Sequence, residues 1–348
     1  MTHHERVTRA LTFQSPDCVP LEIHDVPHLY DAYGTLDPAT VRIVPGAEGF
    51  DSLRVTYHWT FTDLGRNVNG EVLRRDEWGC LHRVPADLGT AYEIMEKPLA
   101  DPVAFGRYDF PDPAITDAFF ARAARTIAEH YPDRFVCGYL DPGPLLVAFN
   151  LMGYEGLLTR LYDDLSQVLA VMRGIVTYQK AVVDRWAAIG VPMVAIIDEF
   201  AGTDGLMFSP ELWRRHFAAF YEELFAHIRS YDMLAGCLFD GDITPILPDY
   251  LALKPDVVEI MQPNLVGLER WGQALRGKVA AKASVDMMST LARGTPEACR
   301  AEARRLVETF HTAAGGFMGI SLRWHRPEYP AANVAAVADE FVRCRPAP

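Results

Sequence analysis

The segment Gly315-Gly316-Phe317-Met318-Gly319-Ile320-Ser321-Leu322-Arg323-Trp324-His325 alternates in character, with Ser321, Arg323 and His325 on one face. Met318, Ile320, Leu322 and Trp324 occupy the other, the two-residue period of a β-strand. The same split recurs upstream. Glu22 and His24 alternate with Leu21 and Ile23; Arg54, Thr56 and His58 alternate with Leu53, Val55 and Tyr57. Lys282, Ser284 and Asp286 alternate with Ala281, Ala283 and Val285. Further strand-like runs end on Tyr139 and Asp141, on Asp198-Glu199, and on Asp240-Gly241-Asp242. If each apolar face packs on helices, the polar faces converge. Alternation alone leaves open which of Asp198 and Glu199 joins them.

Carboxylates beside Arg, Lys and His suit acid–base work on an anionic or carboxylate-bearing small molecule. Glu199, Asp240, His325 and Asp198 are the catalytic candidates, and Glu22, His24, Arg54, His58, Tyr139, Lys282, Asp286 and Arg323 the substrate-binding ones. Any one of them is more simply a helix cap or a hydrogen-bonded filler. Together they argue for a site, because burying so many ionisable groups costs several kcal/mol each unless they pair or serve a ligand. No GxSxG elbow, P-loop or GxGxxG stands in the chain, so serine hydrolase, ATPase and Rossmann readings have no support.

The elements that must position these groups alternate regularly. Strand runs read as Val19 to Asp25, Asp51 to His58, Arg134 to Asp141, Pro192 to Glu199, Met233 to Phe239, Val257 to Gln262, Val279 to Val285, and Gly315 to His325. Helical segments separate them from the third onward. One helix start is explicit, with Ser209 as N-cap, Pro210 and Glu211 in the first turn, then an apolar stripe through Phe217, Tyr221, Leu224 and Ile228. Thr295-Pro296-Glu297 opens another, and Ala332 to Val342 closes the series. This pattern predicts an α/β fold, a (β/α)8 TIM-type barrel whose polar strand ends form one site. An open doubly wound sheet is the alternative. Between Thr60 and Pro113 the alternation breaks at Asn67-Val68-Asn69-Gly70 and Asp76-Glu77-Trp78-Gly79, which predicts a β-hairpin-rich insertion after strand two. Residues 1–348 are read as a single barrel domain.

A formal net charge of −13 argues against general nucleic-acid or anionic-membrane binding. Six scattered cysteines without a CxxC pair read as reduced thiols, and Met1 to Phe13 lacks an apolar signal core. The expectation is a soluble cytoplasmic protein.

Several collinear segments resemble the uroporphyrinogen decarboxylase superfamily, including its cobalamin-linked methyltransferases. They are Glu5-Arg6-Val7 with Ala10-Leu11 leading into Pro16-Asp17-Cys18-Val19-Pro20, then Asp198-Glu199-Phe200 with Gly205-Leu206-Met207-Phe208-Ser209-Pro210-Glu211. Asp240-Gly241-Asp242-Ile243 with Leu247-Pro248-Asp249, Val285-Asp286 before Leu291 and Gly294-Thr295-Pro296-Glu297, and Gly315-Gly316 complete the set. The resemblance implies a barrel with its site at the strand C-termini, a corrinoid as methyl carrier, a corrinoid protein as partner, and a homodimer.

The departures from the family pattern are specific. Its zinc-dependent methyltransferases carry His-x-Cys-Gly after strand five and a Cys near the end of strand eight. The matching positions here are Leu238, Asp240 and one close to Arg323, which is no zinc set. A metal would have to draw on His24, His58, Asp198, Glu199, Cys237, Asp240 and His325, with Cys237 on the strand face opposite Asp240. The decarboxylase branch places arginines after strand one, whereas this chain has His24-Asp25-Val26-Pro27-His28. The resulting expectation is a methyltransferase-like enzyme acting on a small methylated substrate without that zinc site. A lyase or decarboxylase of a small carboxylate is the alternative, and a non-catalytic ligand binder is the third reading.

Overall fold

Short apolar runs with small or β-branched residues pair into a closed ring in the computed structural model, which describes residues 1–24, 29, 43–84, 93–322 and 328–344. The chain enters through α1 (His3–Leu11), capped by the Thr2 hydroxyl, which accepts from the Glu5 N–H. This helix lies under the barrel, its His4 ring 5.3 Å from the Phe135 ring. β1 (Leu21–Ile23) and β2 (Ser52–Tyr57) start the ring. An antiparallel sheet follows in the order β3 (Thr62–Arg66), β4 (Val72–Arg75), β5 (Leu81–Val84) and β6 (Glu93–Glu96). The hairpin-rich insertion is therefore present.

The barrel resumes with α2 (Asp117–His130) and β7 (Phe135–Leu140). Three helices come next: α3 (Pro144–Met152), α4 (Tyr154–Asp163) and α5 (Leu165–Ala188). β8 (Met193–Asp198) leads into a small hairpin, β9 (Ala201–Gly202) and β10 (Gly205–Leu206). α6 (Pro210–Leu212) has the Ser209 cap expected from sequence, and passes through a π-helical turn, Trp213–Phe217, into α7 (Ala218–Arg229). β11 (Leu234–Phe239), α8 (Leu247–Ala252), β12 (Val257–Ile260), α9 (Pro263–Val266) and α10 (Leu268–Leu275) follow. β13 (Ala280–Ala283), α11 (Pro296–Phe310), β14 (Phe317–Ser321) and α12 (Ala331–Arg343) complete the described chain.

Parallel pairing runs β1-β14-β13-β12-β11-β8-β7-β2, and β2 returns to β1, which closes a (β/α)8 barrel. The strands are buried on both faces, as they must be when helices cover the outside and side chains fill the lumen. That double burial reverses one sequence expectation. Lys282 is in register with Met318, and Glu22 with Ile320, so Met318 and Ile320 share the inward face. Gly319 faces outward, where a Cβ would fall 2.7 Å from the Phe341 ring of α12. Ser321 is on that outer face too. Apolarity could not tell in from out on β14, because both of its sides are dry. Arg323 and His325, assigned inward from the same alternation, lie outside the described residues.

The insertion is fastened to the barrel. Trp78, on the β4–β5 turn, is buried with its ring 4.7 Å from Tyr178 of α5. Arg160 of α4 donates to the Leu99 and Ala100 carbonyls at 2.7 and 2.6 Å.

Candidate active site

Deep in the lumen, β1, β7, β12 and β13 each contribute one ionisable side chain. The Lys282 ammonium sits 2.7 Å from Glu22 Oε1 and 3.1 Å from Glu259 Oε2. It also donates to the Tyr139 hydroxyl, which in turn donates to Glu259. Ser52 donates to the other Glu22 oxygen at 3.0 Å. All these groups are almost completely buried. Burial alone would discharge Lys282; its neighbours, Glu22 and Glu259 the charged ones among them, reverse this and hold its pKa well above the ordinary lysine value.

One layer nearer the mouth, the Arg54 guanidinium lies 4.2 Å from the Tyr139 ring centre. Its nitrogens stand 3.5 Å from Glu259 and 3.7 Å from Asp141, and its Nε donates to Thr56 at 2.9 Å. His24 Nε2 is 3.6 Å from Glu259 and 3.8 Å from Glu22. His58 Nδ1 is 3.3 Å from the Asp141 carboxylate. Glu22, His24, Arg54, His58, Tyr139 and Lys282 therefore do meet, as a single connected network.

The mouth itself is acidic. Burial pushes the Glu199 carboxyl up to about 7, and Asp240, Asp141 and Asp198 add to the rise. Asp240 is raised by burial as well, against a lowering hydrogen bond with Gln262. Asp198 and Glu199, adjacent at the end of β8, take different roles. Asp198 turns toward the helices, where its oxygens accept from the Leu145 and Leu146 N–H groups, the Glu199 N–H and the Tyr221 hydroxyl. A carboxylate at the start of α3 satisfies orphan N–H donors and complements the helix dipole. Burial still lifts it to about 6 against those bonds. Glu199, on the opposite face, is left facing the lumen near neutrality, which is the condition for a general acid or base at pH 7.

Asp286 stands apart from this network. Its Oδ1 accepts from the Met288 and Ser289 N–H groups and the Ser289 hydroxyl, and its Oδ2 from the Asn264 N–H. It caps the turn after β13, and these bonds occupy both oxygens. Sequence reasoning missed Glu259, although a lone charge between Val258 and Ile260 in a four-residue apolar strand was a signal. It also passed over Glu77 in the insertion, whose carboxyl is held among Tyr57, Tyr178 and the Thr60 N–H.

The donor chemistry does not fit the family's zinc site. Leu238 is aliphatic and shares the register of Glu259, so an apolar group faces the lumen where a ligand would be needed. Cys237 lies on the other face, buried beside Tyr250. Among the described residues no group of three or more His, Cys, Asp and Glu side chains is arranged to hold a metal ion. Among them, too, no helix is long and apolar enough to cross a membrane.

Comparison with known proteins adds lineage. The family model described as uroporphyrinogen decarboxylase (URO-D) matches residues 80–341. A structure described as a methyltransferase from Methanosarcina mazei superposes with a TM-score of 0.71 at 14% identity, covering 99% of each chain. That likeness establishes a shared fold. A Bacteroidetes-affiliated GH5 cellulase reaches a TM-score of 0.47 at 10% identity over 95% and 93% of the two chains. A search of curated proteins returns no match.

Proposed function

This chain belongs to the uroporphyrinogen decarboxylase family, and from that premise we propose that it is a methyltransferase-like enzyme moving a methyl group from a small methylated compound to a corrinoid. The donor class is an aryl methyl ether or a methylamine. The corrinoid enters as a co-substrate borne by a separate protein, and supplies the nucleophile when bound. The carrying observation is Glu199, a lumen-facing carboxyl held at about 7. As the methyl carbon leaves, its former oxygen or nitrogen keeps the bonding pair and takes the Glu199 proton. Activation of this kind contributes ~10²- to 10⁴-fold.

Among the described residues the charge arrangement favours this reading over a lyase acting on a small carboxylate. A carboxylate substrate needs an uncommitted cation. Lys282 is enclosed by Glu22 and Glu259, and Arg54 lies between Glu259 and Asp141. Asp141 and Asp240 line the approach beside the protonated Glu199, so that an anion is repelled and a neutral or cationic donor is not. Leu238 and Asp240 supply neither thiolate nor imidazole, so the family's zinc-bound thiol has no counterpart in this reading.

The test is a panel of methyl ethers and methylamines incubated with the protein and a reduced corrinoid protein, followed by corrinoid absorbance. Methylation of the corrinoid by at least one donor is the expected result. A silent panel, with CO2 released from a small carboxylate instead, would overturn the assignment in favour of the lyase.

A further inference from the structure

Glu77 hangs from the β4–β5 turn of the insertion, yet its carboxyl is buried against the barrel wall. Its Oε1 accepts from the Tyr57 hydroxyl at 2.8 Å and the Tyr178 hydroxyl at 3.3 Å, and its Oε2 accepts from the Thr60 N–H at 2.8 Å. A small cavity is lined by both Glu77 and the His58–Asp141 pair of the mouth. Its polar lining is Tyr57, His58, Glu77, Asp141, Tyr178 and Gln179. The space open to the centre of a water-sized sphere is ≈ 10 Å³, about what one molecule requires.

Gln179 gives an independent sign that something belongs there. It is 3% exposed, and its Nε2 donates to the Pro142 carbonyl at 3.0 Å. Its Oε1 is buried and makes no hydrogen bond to the protein. A buried acceptor left unmet costs about 1–3 kcal/mol, and a polar cavity of single-water size is where that cost is relieved.

We propose that this cavity holds a water which donates to Gln179 Oε1 and links the Glu77 carboxyl to the His58–Asp141 pair, making Glu77 a proton reservoir for the mouth. In each transfer the Glu77 O–H bond breaks toward the water while one water O–H bond breaks toward the His58–Asp141 pair. The water is regenerated and only a proton has moved. Glu77 is a positioning residue in this scheme, acting through His58 and Asp141.

The surroundings of Glu77 fit that role. Tyr57 and Thr60 face it from the barrel, Tyr178 and Gln179 from α5, and Asp76, paired with His82 at 2.7 Å, from the insertion. Tyr108 stands beyond them, donating to the Trp78 carbonyl. Burial raises Glu77 to about 7, against lowering hydrogen bonds from Tyr57 and the backbone, with Asp76 adding to the rise. Burial also drives the Tyr57 and Tyr178 phenols upward, so they remain protonated donors.

Only the use made of that proton in the mouth rests on the proposed methyl transfer; the coupling of Glu77 to His58 can be measured without substrate. The experiment is an NMR titration of the His58 ring, its signal assigned by its loss in His58→Gln, in the full-length wild type, Glu77→Gln and Gln179→Leu. The wild type is expected to show a second inflection near pH 7. Glu77→Gln should abolish it, and Gln179→Leu should reduce it at least twofold, because the charges are unchanged while the water's anchor is lost together with the Nε2 bond to the Pro142 carbonyl. A wild-type titration lacking that inflection overturns the proposal. So does one that keeps it undiminished in Gln179→Leu, since coupling would then run without the water. Retained coupling in a protein that methylates no corrinoid would sink the functional reading and leave the relay standing.

Discussion

Asp198 and Glu199 are neighbours in the chain with opposite duties, and the distinction is chemical. Four hydrogen bonds from protein donors consume the Asp198 carboxylate at the start of α3. Glu199 is held up by burial and by like charges, with Asp240 the first of these. As a general acid it works in its protonated form, which dominates below about 7 and is lost as pH rises through that value. Turnover should therefore fall on the alkaline side of neutrality. Glu199→Gln should cut turnover by ~10²-fold or more and remove that limb from the pH–rate profile. The sign for stability follows from the same shift. The folded state keeps a proton on Glu199 between 4.5 and about 7 that the unfolded chain has released, so this residue weakens the fold as pH climbs through that window. A wild-type and variant pair with identical alkaline limbs would remove Glu199 from the mechanism.

At the scale of elements, the strand positions were legible because two-residue alternation and helix-length spacing survive in one sequence. All eight barrel strands fall inside the expected runs, and the broken pattern after β2 marked the antiparallel sheet. What alternation could not supply was orientation where both faces are apolar. β14 shows this, with Gly319 making room for Phe341 outside while Met318 and Ile320 fill the lumen. The site was partly legible for the same reason. Glu22, Arg54 and Lys282 stood out against aliphatic neighbours, whereas Asp286 had the look of a lumen group and is consumed as a cap. The cross-strand cluster yields a quantitative expectation. Lys282→Met would leave Glu22 buried without its lysine and Glu259 with only the longer Arg54 and His24 contacts, at a cost of about 3–5 kcal/mol. Adding Glu22→Gln should recover part of that loss, because the stranded Glu22 charge disappears. Urea midpoints for the single and double variants measure the coupling directly, and strictly additive losses would mean that Lys282 and Glu22 do not act together.

For the molecule as a whole, the question is whether the insertion is an ornament on the barrel or part of its folding unit. β3 is exposed along its length, which by itself would mark a weakly held appendage. The β4–β5 turn and β5 are held more firmly. Trp78, Cys80 and Val84 are buried, the first two within the same continuous apolar core as α5, and Arg160 ties the returning chain through two carbonyls. Glu77 adds a polar contact that cannot be undone without exposing Tyr57 and Tyr178. Breaking these contacts opens barrel surface as well as insertion surface, so local release of the sheet carries nearly the penalty of global unfolding. The insertion and the barrel should accordingly melt together. Amide exchange at Leu81 to Val84 and at the barrel strand Met193 to Asp198 should report similar opening free energies, with only Thr62 to Arg66 exchanging early. Were β5 to exchange orders of magnitude faster than β8, the insertion would be a separable cover, and its carboxyl could not stay in register with the mouth.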